Sequence, residues 1–82
     1  MKKVEITREP VELYKILKFE GLVPSGGVAK QVIADGLVLV NKVVETRKRK
    51  KIYAGDVIEF EDDIFLISYE GQGQLAEPGE RT

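Results

Sequence analysis

At 82 residues the chain is enough for one domain, just large enough to close a small core without disulfides or a metal. It has no cysteine and no histidine, which removes disulfides, thiolate nucleophiles, zinc-thiolate sites and the commonest general base, and it has no apolar run near the roughly 18 residues a membrane span requires. The net charge of -1 hides a strong asymmetry: residues 30–53 hold seven cations against two carboxylates, whereas residues 54–82 hold eight carboxylates against one arginine.

Taken in order, Met1-Lys2-Lys3 leads into Val4-Glu5-Ile6 rather than a long apolar stretch, so no leader is expected and a cytoplasmic location is the default. Val4 to Ile6 alternates like a short strand. Thr7 is a candidate N-cap, with Glu9 and Pro10 in the first turn of a helix running to about Glu20. Leu13, Ile16 and Leu17 fall on one face of that helix and form its buried stripe, while Glu12, Lys15 and Lys18 face solvent; Gly21 ends it. Pro24 disfavours helix at Val23, so a second helix starts afresh at Ser25, with Val28, Val32 and Ile33 as its apolar stripe and Gly36 as its terminator.

Leu37 to Val40 and Val43 to Thr46 read as two strands joined by an Asn41-Lys42 turn. The run Arg47-Lys48-Arg49-Lys50-Lys51 follows. Ile52-Tyr53 leads to a turn at Ala54-Gly55-Asp56, then a strand over Val57 to Phe60, an acidic turn at Glu61-Asp62-Asp63, and a last strand over Ile64 to Tyr69 that can pair with Val57 to Phe60 or with Val4 to Ile6. Gly71 to Thr82 has no usable periodicity and is expected to be a mobile tail.

Two features of this layout attract anions. A capped helix start at Ser25-Gly26-Gly27 leaves backbone N-H groups free at the positive end of the helix dipole, and the five-residue cationic run lies one hairpin further on. Each feature has a bland reading. A serine and two glycines before a helix are commonly a cap and nothing more, and a cationic run is commonly a solvated surface or a short nuclear-localisation signal. What favours polyanion binding is placement, because cations held beside a rigid hairpin follow a phosphate backbone without first ordering a floppy tail. Lys30, one turn into the second helix, adds a cation on that edge or simply faces solvent. Tyr53 either stacks on an unpaired base beside Lys50 and Lys51 or packs its ring on the sheet. The acidic turn at Glu61-Asp62-Asp63 need not converge on an ion, so no metal site is assigned. Ser25 lacks a histidine to activate it, so no catalytic residue is assigned either.

The order and spacing of Leu13 and Leu17, Leu22-Val23-Pro24-Ser25, Ala29-Lys30, Val32-Ile33, Gly36, Val38, Val40-Asn41 and Gly55-Asp56-Val57-Ile58 resemble the S-four RNA-binding domain, also called the alpha-L motif. The resemblance covers about residues 11–60. Ser25 to Lys30 followed by Val44 to Lys51 is similar to the small stand-alone YaaA/YbcJ-like branch. Many members carry arginine just after the serine, where this chain has Gly26 and Gly27, which leaves the backbone contact without the side chain. Many also carry glycine where this chain has Lys42, which asks a lysine to adopt positive φ at a cost of about 1 kcal/mol.

The resemblance implies an α+β fold, two short helices packed on a small, mostly antiparallel sheet of four or five strands, as a single domain over 1–70 with a tail at 71–82. It also implies a non-catalytic module that recognises structured RNA, ribosomal or transfer RNA and in association with the ribosome, without a cofactor or a membrane, as a monomer. The expected RNA-binding residues are Ser25, Gly26, Gly27, Lys30, Lys42, Arg47, Lys48, Arg49, Lys50, Lys51 and Tyr53. A protein-interaction adaptor docking its basic face on an acidic partner is the alternative from a different class, and a DNA-associated factor is a weaker third.

Overall fold

A computed structural model describes residues 1–69, so the expected tail lies outside the described residues. The elements in order are β1 (Lys2–Ile6), β2 (Val11–Glu12), α1 (Leu13–Phe19), α2 (Gly26–Ala34), β3 (Val38–Val40), β4 (Val43–Val44), β5 (Lys51–Ile52), β6 (Val57–Phe60) and β7 (Asp63–Tyr69). Five strands form one sheet in the order β1-β7-β6-β3-β4, and β2 pairs with β5 as a separate two-stranded ribbon. Every pairing is antiparallel except β1 with β7. The last strand therefore pairs with both of its candidate neighbours: Val4 lies opposite Ile67 on one side and Phe60 opposite Asp63 on the other.

The core is one cluster that joins Leu13, Ile16 and Leu17 of α1 and Ala29 and Ile33 of α2 to Val38, Val40, Ile58, Phe60, Phe65 and Ile67 of the sheet. The helices form where their apolar faces meet that surface, and each stops in the same way. Gly21 and Gly36 take positive φ after the last helical turn. Their N-H groups donate to Lys18 and Ile33, and the N-H groups of Leu22 and Leu37 reach back to Leu17 and Val32, so the final carbonyls are satisfied. A side chain at either glycine would occupy a backbone region that L-residues avoid.

Helix α1 begins later than expected. Thr7 does not cap it; Glu12 occupies the N-cap position and makes no side-chain cap bond. The physical reason lies elsewhere in the chain. Val11 and Glu12 are drawn into the ribbon with Ile52 and Lys51, and the N-H groups of Leu13 and Tyr14 donate to the carbonyls of Lys50 and Lys48 at 2.9 and 3.1 Å. A distant loop supplies the cap. The stripe of α2 is also corrected: Ala29 and Ile33 are buried and Val32 packs at the margin, but Val28 is exposed. The return strand of the hairpin is shorter than expected, because regular pairing stops at Val44.

The hairpin turn has the expected backbone. Asn41 and Lys42 take φ of 53° and 73°, the two consecutive positive values that suit the twist of a tight hairpin. Asn41 also ties the turn to the start of β6: its amide donates to Asp56 at 3.1 Å and its side-chain oxygen accepts from the Val57 N-H at 2.9 Å.

Candidate nucleic-acid interface

The site is built from the start of α2 and the loop between β4 and β5. Ser25 caps α2, its Oγ accepting from the Val28 N-H at 3.2 Å. That leaves the N-H groups of Gly26 and Gly27 without an acceptor among the described residues. Neither glycine is needed by the fold. Both have ordinary φ, a Cβ at Gly27 would meet only the Ser25 Oγ at 3.8 Å, and a Cβ at Gly26 would make ordinary contact with Lys18 and Tyr14 at 3.9 Å. Glycine inside a helix costs about 1 kcal/mol relative to alanine, so two in the first turn are a local weakness without a packing reason. What they do is keep the helix N-terminus bare.

The loop is held by its backbone and by two carboxylates. Besides the bonds to Leu13 and Tyr14, Lys50 N-H donates to the Arg47 carbonyl at 3.1 Å and closes a turn. Glu45 grips Arg47 three times, accepting from its backbone N-H and its Nε at 2.9 Å each and from Nη2 at 3.1 Å. Hydrogen bonding from the Arg47 side chain is the main reason the Glu45 carboxyl drops from an ordinary 4.5 to about 2. The same pair raises the Arg47 guanidinium. Glu12 lies 3.4 Å from Arg49 and 3.5 Å from Lys15. Its partial burial pulls its carboxyl upward, but Arg49 and Lys15 together outweigh this and hold it below the usual range. Arg47 is thus committed to ordering the loop, whereas Arg49 has a looser partner in Glu12. Lys48, Lys50 and Lys51 have no carboxylate within ion-pair distance among the described residues.

A cleft of about 550 Å³ opens between these two walls, lined by Gly27, Lys30, Gln31 and Ala34 from α2 and by Thr46, Arg47, Lys48 and Arg49 from the loop. A second hollow of about 360 Å³, lined by Arg47, Arg49, Lys50 and Lys51, adjoins it and shares two arginines. Of the residues expected from sequence, Gly27, Lys30 and the whole run from Arg47 to Lys51 are brought together here, with Ser25 and Gly26 at the helix start beside them. Lys42 is not: it sits at the hairpin tip, 3.4 Å from Glu59. Tyr53 lines neither hollow and is half exposed.

Sequence reasoning missed Tyr14 and Glu12. Lys30 Nζ lies 4.7 Å and the Arg49 guanidinium 5.6 Å from the centre of the Tyr14 ring, so one aromatic joins the two walls. Nothing in the local pattern around Tyr14 announces this, since its partners lie in other elements. No group of three or more metal-ligating side chains converges among the described residues. Among those residues, too, no helix is long and apolar enough to cross a membrane.

A helix start facing a cationic loop across a small α+β scaffold defines a class, and the chain belongs to it: the model of the S4 domain family matches residues 4–68. Within that family the chain is similar to YbcJ of Escherichia coli (strain K12), at 54% identity over 50 residues that cover 61% of this chain and 71% of that protein. It is also similar to the protein named "Probable ribosome maturation protein RlbA" of Bacillus subtilis (strain 168), at 38% identity over 58 residues, 71% of this chain and 82% of that one. The solution structure of Escherichia coli YbcJ, described as revealing an alpha-L motif involved in RNA-binding, superposes with a TM-score of 0.64 at 40% identity, covering 83% of this chain and 87% of that one.

Proposed function

We propose that this protein is a non-catalytic, cytoplasmic RNA-binding module, a single domain over 1–70 that acts as a monomer on structured RNA, with ribosomal RNA or the assembling ribosome as its target. The observation that carries this reading is the cleft in which the bare α2 start faces a cationic loop whose backbone is already fixed. Phosphates contribute most of the affinity in such an arrangement and position the complex, while the duplex shape supplies discrimination. Bare N-H groups of Gly26 and Gly27 meet one phosphate; Lys48, Lys50 and Lys51 meet others along the strand. The names of two relatives, one tied to RNA-binding and one to ribosome maturation, support the same target.

The test is the salt dependence of binding. Replacing Lys48, Lys50 and Lys51 together by glutamine leaves the ion pairs of Arg47 and Arg49 in place, so the fold survives. At roughly 0.7 to 0.9 per phosphate for three contacts, the slope of log K against log salt becomes shallower by about 2 to 3. Gly27→Ala separates ligand access from folding: the variant is at least as stable as the parent, by up to about 1 kcal/mol, and binds RNA more weakly. An unchanged slope in the folded lysine variant would move the RNA site elsewhere or leave an acidic protein as the partner of this face.

A further inference from the structure

Lys30 and Arg49 are both cations, they lie on opposite walls of the cleft, and the ring of Tyr14 is within cation-π distance of each. Lys30 has no carboxylate partner among the described residues, and Arg49 has a loose one, with both Glu12 oxygens 3.4 Å away. Like charges that line one cleft repel, and their long side chains would drift into water unless an attractive surface holds them. The negative face of an aromatic ring is such a surface.

Tyr14 is itself well fixed. Its backbone N-H donates to the Lys48 carbonyl, its ring is half-buried against the core, and a Cβ on Gly26 would touch its Cε2 at 3.9 Å, so it lies directly under the start of α2. It touches loop, helix α2 and core at once.

We infer that Tyr14 is a positioning residue for RNA: its ring holds Lys30 and Arg49 in register across the cleft as a two-cation clamp on a single phosphodiester. The inference rests on the RNA-binding reading above and adds to it the residue that aligns the two walls. A phosphate entering between Lys30 and Arg49 relieves the repulsion that the ring offsets in the free protein, so the clamp is preorganised and loses little side-chain freedom on binding.

The experiment compares Tyr14→Phe and Tyr14→Leu with the parent protein, using purified transfer RNA as a structured probe and polyuridine as the single-stranded control. Tyr14→Phe keeps the ring face and binds transfer RNA within about twofold of the parent. Tyr14→Leu keeps apolar volume but loses the ring. It binds about three- to tenfold more weakly, with a salt slope shallower by about 1, one phosphate contact at 0.7 to 0.9. In the Tyr14→Leu background, Lys30→Gln has less effect than in the parent, because the clamp is already open. Thermal melts and the exchange of the Leu13 amide and of the amide at position 14 check that the loop stays docked. A parent that binds transfer RNA while folded Tyr14→Leu binds equally well, or shows full additivity with Lys30→Gln, overturns the clamp and leaves the RNA reading standing. A parent that binds neither RNA overturns both.

Discussion

The loop at Arg47 to Lys51 and the strand β1, at the far edge of the sheet from β4, are both cationic, yet they are built for different things. On β1 each lysine meets an acid: Lys2 lies 3.2 Å from Asp63 and Lys3 3.8 Å from Glu5. Those pairs are exposed and contribute little. In the loop Glu45 holds Arg47 tightly and Glu12 lies more loosely beside Arg49, and Lys48, Lys50 and Lys51 have no carboxylate partner among the described residues. The difference lies in the backbone beneath the cations. The loop's carbonyls cap α1 and its last residues pair with β2, so its cations stand on a rigid ledge; the lysines of β1 stand on an edge strand with acids beside them.

The most damaging way to break this contrast is to loosen the ledge from beneath. Ile52 is fully buried, follows the cationic run directly and pairs with Val11. Ile52→Ala removes packing at a site that cannot easily collapse and is expected to cost about 2 to 5 kcal/mol in urea denaturation. The Leu13 and Tyr14 amides, which donate to the loop, should lose exchange protection ahead of the amides of β6 and β7. Uniform loss along the chain would mean that the ledge has no stability of its own.

A smaller effect sharpens the role of the carboxylates. Glu45 titrates below its ordinary value in the folded protein, so its contribution is complete above about pH 4.5 and disappears as pH falls toward about 2, where the carboxyl takes up its proton. Because the Arg47 side chain is largely exposed, solvent screens the pair and its contribution is small. Glu45→Gln should remove that small contribution to stability at neutral pH and flatten its acid dependence between those limits, with the Arg47 amide resonance as the local reporter. A variant with the parent's acid profile would assign the loss to other carboxylates.

The smallest effect is a control on the other side of the comparison. Lys2→Gln with Lys3→Gln removes two charges from β1 and is expected to shift stability by no more than about 0.5 kcal/mol and RNA affinity by less than about twofold. A shallower salt slope in this variant would extend the RNA footprint across the sheet and erase the distinction between the two edges.

Much of the scaffold was legible in the chain because the signals are local. The stripe of Leu13, Ile16 and Leu17, the glycines that end both helices and the Asn41-Lys42 turn are written in spacing and backbone preference, and each is found where those rules place it. The cation-rich run and the bare helix start were visible for the same reason. Composition and spacing therefore specify the parts list: α+β elements in order, a segregated charge, and residue types fit for phosphate. Tertiary structure alone decided which parts act together. The late start of α1, capped by carbonyls of Lys48 and Lys50, depends on a contact between segments far apart in the chain, and backbone carbonyls carry no sequence signature. The pairing of Arg47 and Arg49 with carboxylates, the separation of Lys42 and Tyr53 from the cleft, and the place of Tyr14 between Lys30 and Arg49 follow from the same cause: electrostatic and cation-π contacts are set by distance in space, which only the packed core brings below a few ångströms.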